Sequence, residues 1–578
     1  MPPVPMPIPG SFGPTDRSFG RHDAVAAVLV LGLLVFLAEA SHGLTDTMSA
    51  LDAAPISLDA RNLPEYAART VLRMLAAMSL SLVFTLTYAT LAAKSRRAEQ
   101  VLIPILDILQ SVPILGFISI TVVFFMSLAP GRVLGAEFAA IFAIFTSQAW
   151  NMAFSFYQSL RTVPVDLAEA SRSLRLSPWM RFWRLEVPFA TPALIWNMMM
   201  SMSGGWFFVV AAEAISVGNT TVTLPGIGSY IALAIEKRDL DAIFWAIGAM
   251  AVVIVLYDQL LFRPLVAWAD RFRAEQQGGV EPPQSWVLDA LRGSRLVLLA
   301  SQKTAALARL GSGLTIPTVY SSANLRLPQI GAAGDWLWTV SVTLLTGYCV
   351  WRIAQFVAPV ATLAESMQVA WLALLTLVRV VVLLVVASIV WVPIGIMIGL
   401  RPNLTRIIQP FVQFLAAFPA NLLFPLAVFL IVGYRLDPDV WLSPLMILGT
   451  QWYILFNVIA GASAMPTEFR DVGRNLGVSG WLWWRRIALP AVFPFYLTGA
   501  ITAAGGSLNA SIVAESVSWG DQHLTAQGIG AYIAEATTRG DFPRTVLGIA
   551  VMSAFVVLLN RVFWRPLYAY AERRLRLD

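Results

Sequence analysis

The chain has 578 residues, 57% hydrophobic and only 13% charged, with a mean hydropathy of +0.69 and a formal net charge of +6. A soluble chain carries about a quarter charged residues, so this composition excludes a soluble globular protein and predicts a polytopic helical membrane protein. The excess positive charge belongs to cytoplasmic loops rather than to a nucleic-acid surface, one cysteine (Cys349) excludes an internal disulfide, and three scattered histidines supply no metal site.

In chain order, residues 1–23 open on a Pro-rich stretch that cannot continue a helix and reads as a disordered cytoplasmic tail. Apolar segments of about 20 residues, the length that crosses a hydrocarbon core, follow near 24–40, 67–92, 101–128, 133–158, 191–215 and 241–262. Ala38-Glu-Ala40 resembles a signal-peptidase site. The matching span later in the chain has no such site, so the first segment is read as retained. Residues 274–334 are rich in Gly, Pro, Ser and Arg and read as a cytoplasmic linker, with a short amphipathic helix within 285–310. Further spans follow near 335–357, 368–400, 407–433, 438–462, 491–518 and 542–562. The expected fold is all-α, about twelve spans in two parallel six-helix repeats, 24–273 and 335–578. Arg17, Arg21, Lys94 to Arg97, the linker, Arg401, Arg406 and the tail beyond Arg561 fall on one side. That bias predicts cytoplasmic N- and C-termini.

The second half repeats the first at an offset of 302 residues, from Trp150/Trp452 through Glu213/Glu515 to Arg263-Pro-Leu265/Arg565-Pro-Leu567. Upstream the offset is 306, at Thr70/Thr376, Arg73/Arg379, Pro104/Pro410 and Pro113/Pro419. Such register over some two hundred residues identifies two copies of one unit. The most polar repeated stretch lies between the fourth and fifth spans of each half. Pro164 and Pro466 suit a helix start, and acids follow in the first turns: Asp166 and Glu169, Glu468 and Asp471. Ala170, Arg172, Gly473, Arg474 and Gly477 complete the two loops, and a second short helix carrying Trp179 or Trp481 is expected to end at Pro188 or Pro490.

These loops resemble the "EAA" loop of ATP-binding-cassette importer permeases, of general form E-A-A-x3-G-x9-I-x-L-P. The second loop fits at Asp471, Gly473, Gly477, Ile487, Leu489 and Pro490; the first fits at Glu169, Ala170 and Pro188 and departs at Arg175, where Gly is expected. Thr-x-x-Arg at Thr70/Arg73 and Thr376/Arg379, Ala212-Glu213, Ala514-Glu515 and the following Gly-Ile-Gly resemble the nitrate/sulfonate/bicarbonate subfamily. The resemblance implies two fused permease units in a bacterial inner membrane, with the loops docking as coupling helices. It implies two cytoplasmic ATPase subunits that bind ATP and Mg, an extracytoplasmic solute-binding protein, and a small oxyanion or sulfonate as solute. No cofactor is implied for this chain. It contains no G-x4-G-K-[ST] phosphate loop, so it is read as a transport subunit without its own ATPase site. The competing reading is a secondary transporter with two six-helix halves. That class would place its distinctive loop between the second and third spans, where 93–100 is merely basic.

Pathway candidates are the small residues Gly204, Gly205, Gly505 and Gly506, which permit close helix approach, and Trp206 and Asn509 beside them. Glu213 and Glu515 lie about 25 residues, some 37 Å of helix, beyond the Pro that opens each fifth span. Carboxylates at that depth need partners. Arg73 and Arg379 are expected to pair with them at the outer mouth, directly or crossed.

Overall fold

The computed structural model describes residues 21–40, 56–111, 113–217, 220–272, 284–294 and 332–574. The calls on residues 1–20 and on most of the linker lie outside these. The first half runs α1 (Arg21–Ala40), α2 (Leu63–Lys94), α3 (Arg96–Ser111), α4 (Ile114–Leu128), α5 (Val133–Arg161), α6 (Val165–Ser173), α7 (Pro178–Glu213), a hairpin of β1 (Ala214–Val217) and β2 (Thr220–Thr223), α8 (Ile227–Glu236) and α9 (Leu240–Phe272). Helix α10 (Trp286–Gly293) is the described part of the linker. The second half repeats the order: α11 (Ala332–Val357), α12 (Leu363–Gly399), α13 (Pro402–Ala417), α14 (Ala420–Gly433), α15 (Pro438–Leu448), α16 (Gln451–Ser463), α17 (Thr467–Asn475), α18 (Gly480–Ala514), β3 (Ser516–Trp519), β4 (Gln522–Thr525), α19 (Ile529–Thr538) and α20 (Phe542–Ala571).

Among the described residues eight helices are long and apolar enough to cross a membrane, or ten if each of two bent pairs is one span. α1 and the α3–α4 pair occupy the places of the remaining two of twelve. The expected continuous spans at 407–433 and 438–462 are corrected: the first is α13 and α14, bent by 79°, and the second α15 and α16, bent by 41°. The cause of the sharper bend is Pro419, which caps the N-terminus of the second helix of its pair, and Pro113 does the same before α4. A proline is tolerated at such a start and not within a continuous ladder. The fifth spans also end earlier than expected. Residues after Glu213 and Ala514 form two-stranded antiparallel hairpins, Ala214 opposite Thr223 and Ser516 opposite Thr525, so among the described residues the fold is all-α apart from these two ribbons.

Pro188 and Pro490 do not end a short helix. A wide π-helical segment, Phe182–Glu186 or Trp484–Ala488, carries the chain into the first turn of the next α segment, where the proline sits. The same device recurs at Asp258–Phe262 before Pro264 and at Asn560–Trp564 before Pro566. Widening the turn moves the carbonyl that the ring would otherwise strike, so each long helix survives an internal proline.

The halves share one core. Buried side chains of the first half such as Met74, Phe156 and Ile243 belong to the same cluster as Leu508, Ile533 and Met552 of the second. A Cβ on Gly116 in α4 would strike Ile549 in α20. The linker helix packs on the first half: Val287 and Ala290 are buried, and the Ser294 hydroxyl donates to Asp23 of α1 at 2.9 Å. Because the interlocking elements lie outside the linker, a chain cut between residues 296 and 330 is expected to reassemble. Copurification of a tagged N-terminal fragment with the coexpressed C-terminal fragment measures this, and separation of the two would make the linker a structural element.

Candidate functional site

At the end of the bundle opposite the loop helices, each half buries an ion cluster. Arg73, 2% exposed in α2, splits its guanidinium between two carboxylates. Nε and Nη2 donate to Glu137 at 2.6 Å each, and Nη1 donates to Glu213 at 2.7 Å and to the Pro225 carbonyl at 3.0 Å. Glu213 also accepts from the Thr70 hydroxyl and from the Gly228 amide, both at 2.7 Å. The Thr70 oxygen in turn accepts from the Ile227 amide at 3.1 Å. A buried carboxylate and guanidinium so fully hydrogen-bonded offset the loss of hydration that isolated charges would suffer.

The second half repeats the arrangement more loosely. Glu515 accepts from Thr376 and from Gly530 at 2.7 Å, and Arg379 lies 3.5 Å away. Arg379 donates instead to the Gln527 carbonyl at 2.6 Å and to Asp439 at 2.9 Å. Its side chain is 17% exposed and that of Asp439 41%, against 3% for Arg73 and Glu137. The pairs are therefore direct, not crossed. Sequence reasoning missed Glu137 and Asp439, although a lone acid opens the fourth span and its counterpart recurs at the 302 offset.

Gly-Ile-Gly is demanded by this packing. A Cβ on Gly226 or Gly528 would overlap the Glu213 or Glu515 carboxylate, and one on Gly228 or Gly530 would overlap the Val210 or Ser511 carbonyl. The following tyrosines tie the motif to the segment before α2 and to the first turn of α12. Tyr230 donates to the Leu58 carbonyl at 3.0 Å and Tyr532 to Glu365 at 2.8 Å.

Between the halves lies a cavity of about 380 Å³. Gly204, Gly505, Gly506 and Asn509 line it. Gly205 and Trp206 do not. A Cβ on Gly205 would meet Gln148 and Met74 in the first half's interior, and buried Trp206 stacks edge-on against Tyr257 at 5.4 Å. Those two face into the first half rather than into this cavity. Asn509 is committed to structure, accepting from the Ile114 amide at 2.9 Å and donating to the Gly505 carbonyl at 3.2 Å. It thereby holds the start of α4 against α18. At the pseudo-symmetric position Asn421 donates to the Phe207 carbonyl at 3.2 Å.

The loop helices stand at the opposite end. Asp166, Glu169, Ala170, Arg172, Glu468, Asp471, Arg474 and Gly477 are exposed, as are Val165, Leu174, Leu476 and Trp481. Buried Gly473 is packed so closely that a Cβ would strike Ile487. Each loop helix ends in the same left-handed turn: Arg175 at φ 50° and Gly477 at φ 65°. There the Leu176 amide reaches the Ser171 carbonyl, as Val478 reaches Gly473. The first loop is further held by Glu186, which pairs with Lys94 at 2.8 Å and Arg181 at 3.1 Å. The second loop has Ala488 there.

Residues 74–270 and 391–577 each match the model of one family, described as binding-protein-dependent transport system inner membrane component. Among curated proteins, the chain is similar to a bicarbonate transport system permease protein of Synechococcus elongatus (29% identity over 195 residues, 34% of this chain and 67% of the relative). It is similar to a nitrate import permease protein of Leptolyngbya laminosa (27% over 190 residues, 33% and 64%) and to a glycine betaine/carnitine transport permease protein of Listeria monocytogenes (26% over 193 residues, 33% and 63%). The chain thus spans about two thirds of the length of these relatives, and each match about a third of this chain.

Two outcomes follow from the geometry. Arg73→Met strands two buried carboxylates and is expected to cost about 3–5 kcal/mol, while Arg379→Met, at a wetter site, costs clearly less; thermal unfolding of the purified variants ranks them. Arg175→Gly relieves a left-handed residue and is expected to stabilise by about 1 kcal/mol, read by the same measurement.

Proposed function

We propose, because the chain belongs to the family of binding-protein-dependent transport system inner membrane components, that it is the membrane-spanning part of an ATP-driven importer with both permease units in one polypeptide. It carries a small solute, of the oxyanion or sulfonate type, into the cytoplasm of a bacterial cell across its inner membrane. Two cytoplasmic ATPase subunits supply the energy, and an extracytoplasmic solute-binding protein delivers the solute to the end that holds the ion clusters. The termini and loop helices are cytoplasmic.

The observation that carries the reading is the pair of loop helices. They are exposed, and the exposed acids of α17, Glu468 and Asp471, are followed in the same loop by exposed Leu476 and, at the start of α18, Trp481. A helix that merely anchored the bundle in lipid would not present its acids and its largest apolar residues together. Such a mixed surface suits docking into a groove of a soluble partner. The ion clusters act as posts that fix the outer ends of α2 and α7, and of α12 and α18, so that motion arriving from the loops is delivered to the cavity between the halves.

The test is a charge reversal. The double change Glu468→Lys with Asp471→Lys is expected to lower ATP-dependent uptake at least tenfold in cells expressing the whole system, with the protein still inserted and monodisperse. The corresponding change at Asp166 and Glu169 has a smaller effect, because Glu186 and its partners hold that loop independently. Full uptake and full ATPase copurification in the double variant would overturn the docking assignment. Uptake in ATP-depleted cells that collapses with the ion gradient would replace it by an ion-coupled transporter.

A further inference from the structure

We infer that this chain holds its solute at one site, off the pseudo-twofold axis, on the π-helical turn of α20. Asn560 and Trp564 of that turn, with Gln110 of α3, bind the polar end of the solute, and the mirror position in the first half binds none. The inference rests on reading the cavity as the path of the permease and adds the residues that hold the solute there.

The cavity is lopsided. Both fifth spans, α7 and α18, line it, but of the two last spans only α20 does, through Val556, Leu559, Asn560 and Trp564. At the same places in α9 stand Ile254, Tyr257, Asp258 and Phe262, and none of them lines it. One pair of side chains is the physical cause. In the first half Trp206 and Tyr257 are buried and meet edge-on with ring centres 5.4 Å apart, which fills the space between α7 and α9. In the second half the two places hold the smaller Leu508 and Leu559, and both border the cavity. Space that two rings occupy in one half is open in the other.

The halves also meet differently beside it. Ser203 of α7 donates to the Ala416 carbonyl of α13. The mirror pair is Gly505 and Gln110. Gly505 has no hydroxyl to give, and nothing lies within 4 Å of where its Cβ would stand. Gln110 carries a carboxamide where Ala416 has a methyl, and it is exposed and lines the cavity.

Free donors converge on this side. Many lining hydroxyls are engaged: Thr146 and Ser147 with carbonyls of their own helix, and Thr450 with Ser507 at 2.8 Å. Gln110, Asn560 and Trp564 make no side-chain hydrogen bond among the described residues. Two carboxamides and an indole N–H are therefore available to a solute oxygen. Trp150 and Asn151 on α5 are available too, but Tyr453 stands at the place of Asn151 in the second half and also lines the cavity. Polar groups from α5 and α16 thus reach the cavity from both halves, and the α20 turn is what breaks the symmetry. Residues four apart on a helix share a face, so Asn560 and Trp564 act together. Of the four π-helical turns, Asn560–Trp564 alone contributes lining residues, and such turns are rare and frequent at functional sites. In the mirror turn Asp258 is held by Arg263 and Gln259 at 3.2 Å each, and Phe262 has no donor.

The test uses the chain's one cysteine, Cys349, and the open space at Gly505. The full-length chain carrying Cys349→Ser and Gly505→Cys, in lipid nanodiscs, reports occupancy as the rate of maleimide modification at position 505. Sodium methanesulfonate and sodium nitrate are titrated as probes. At least one is expected to slow modification threefold or more, saturably. Asn560→Leu with Trp564→Phe, which removes both donors without adding charge, is expected to raise the half-protecting concentration at least tenfold, and Gln110→Ala at least threefold. Asn560→Gln, which keeps the amide, and Asp258→Asn, in the mirror turn, are expected to change it less than twofold. Unchanged protection in the double variant, an equal effect of Asp258→Asn, or protection by neither salt overturns the inference. If the double variant does not fold, Leu508→Trp, which builds the first half's plug into the open lobe, takes its place with the same expectation. Copurification of the ATPase is scored separately on the same chain. Protection that depends on α20 without any ATPase would keep the site and overturn the permease reading; ATPase capture with protection indifferent to α20 would do the reverse.

Discussion

The constraint on which the rest depends is the burial of Arg73 between two carboxylates. A guanidinium 2% exposed is tolerable only if every donor finds an acceptor, and here the acceptors come from three separate elements: Glu137 at the start of α5, Glu213 at the end of α7 and the Pro225 carbonyl after the hairpin. One side chain of α2 therefore dictates where three other elements end. The Gly-Ile-Gly turn follows from the same demand, because the Glu213 carboxylate accepts from the Gly228 amide while occupying the space a Cβ on Gly226 would fill, and Gly228 itself lies against the Val210 carbonyl. The core of small residues around Ala77, Ala143 and Ala212 can be tight because this polar knot fixes the helix ends beside it.

The pseudo-twofold relation makes departures from symmetry informative. Glu137 becomes Asp439, one methylene shorter, and Arg379 turns toward it and away from Glu515, which it faces at 3.5 Å without a hydrogen bond. The cluster loosens and admits solvent. At the other end the imbalance runs the same way. The first loop is held by Lys94, Glu186 and Arg181. The second relies on the contact of Gly473 with Ile487 and Trp483. The first half is thus ionically braced at both ends and the second is held mainly by packing, a difference in rigidity within one polypeptide.

Much of this was legible in the sequence. Composition gave the solvent, the 302-residue offset gave the repeat, and the depth of Glu213 and Glu515 together with their need for a partner selected Arg73 and Arg379. The misses have physical causes. Asp439 sits in the first turn of its helix and Glu137 just past the first turn of α5, near helix starts where an acid is ordinary, so nothing local marked them as half of an ion pair. The break at Pro419 was invisible because the apolar run continues on both sides, and hydropathy does not sense direction. Trp206 and Gly205 share a helix with cavity-lining neighbours, and a helical wheel cannot state which face a pseudo-symmetric partner will cover. The hairpins after Glu213 and Ala514 are only four residues a strand, two repeats of the strand period, too few for alternation to stand out.

The four π-helical turns have a consequence of their own. Each inserts one residue relative to an ideal α-helix, and one residue is about 100° of rotation. The stripe of residues that faces the bundle beyond Pro188, Pro264, Pro490 and Pro566 is therefore offset from the stripe on the near side of the same helix. Two helical surfaces of different azimuth are welded end to end, so that a helix packed against its neighbours in the bundle can still aim its terminal segment in a direction that straight α geometry would forbid.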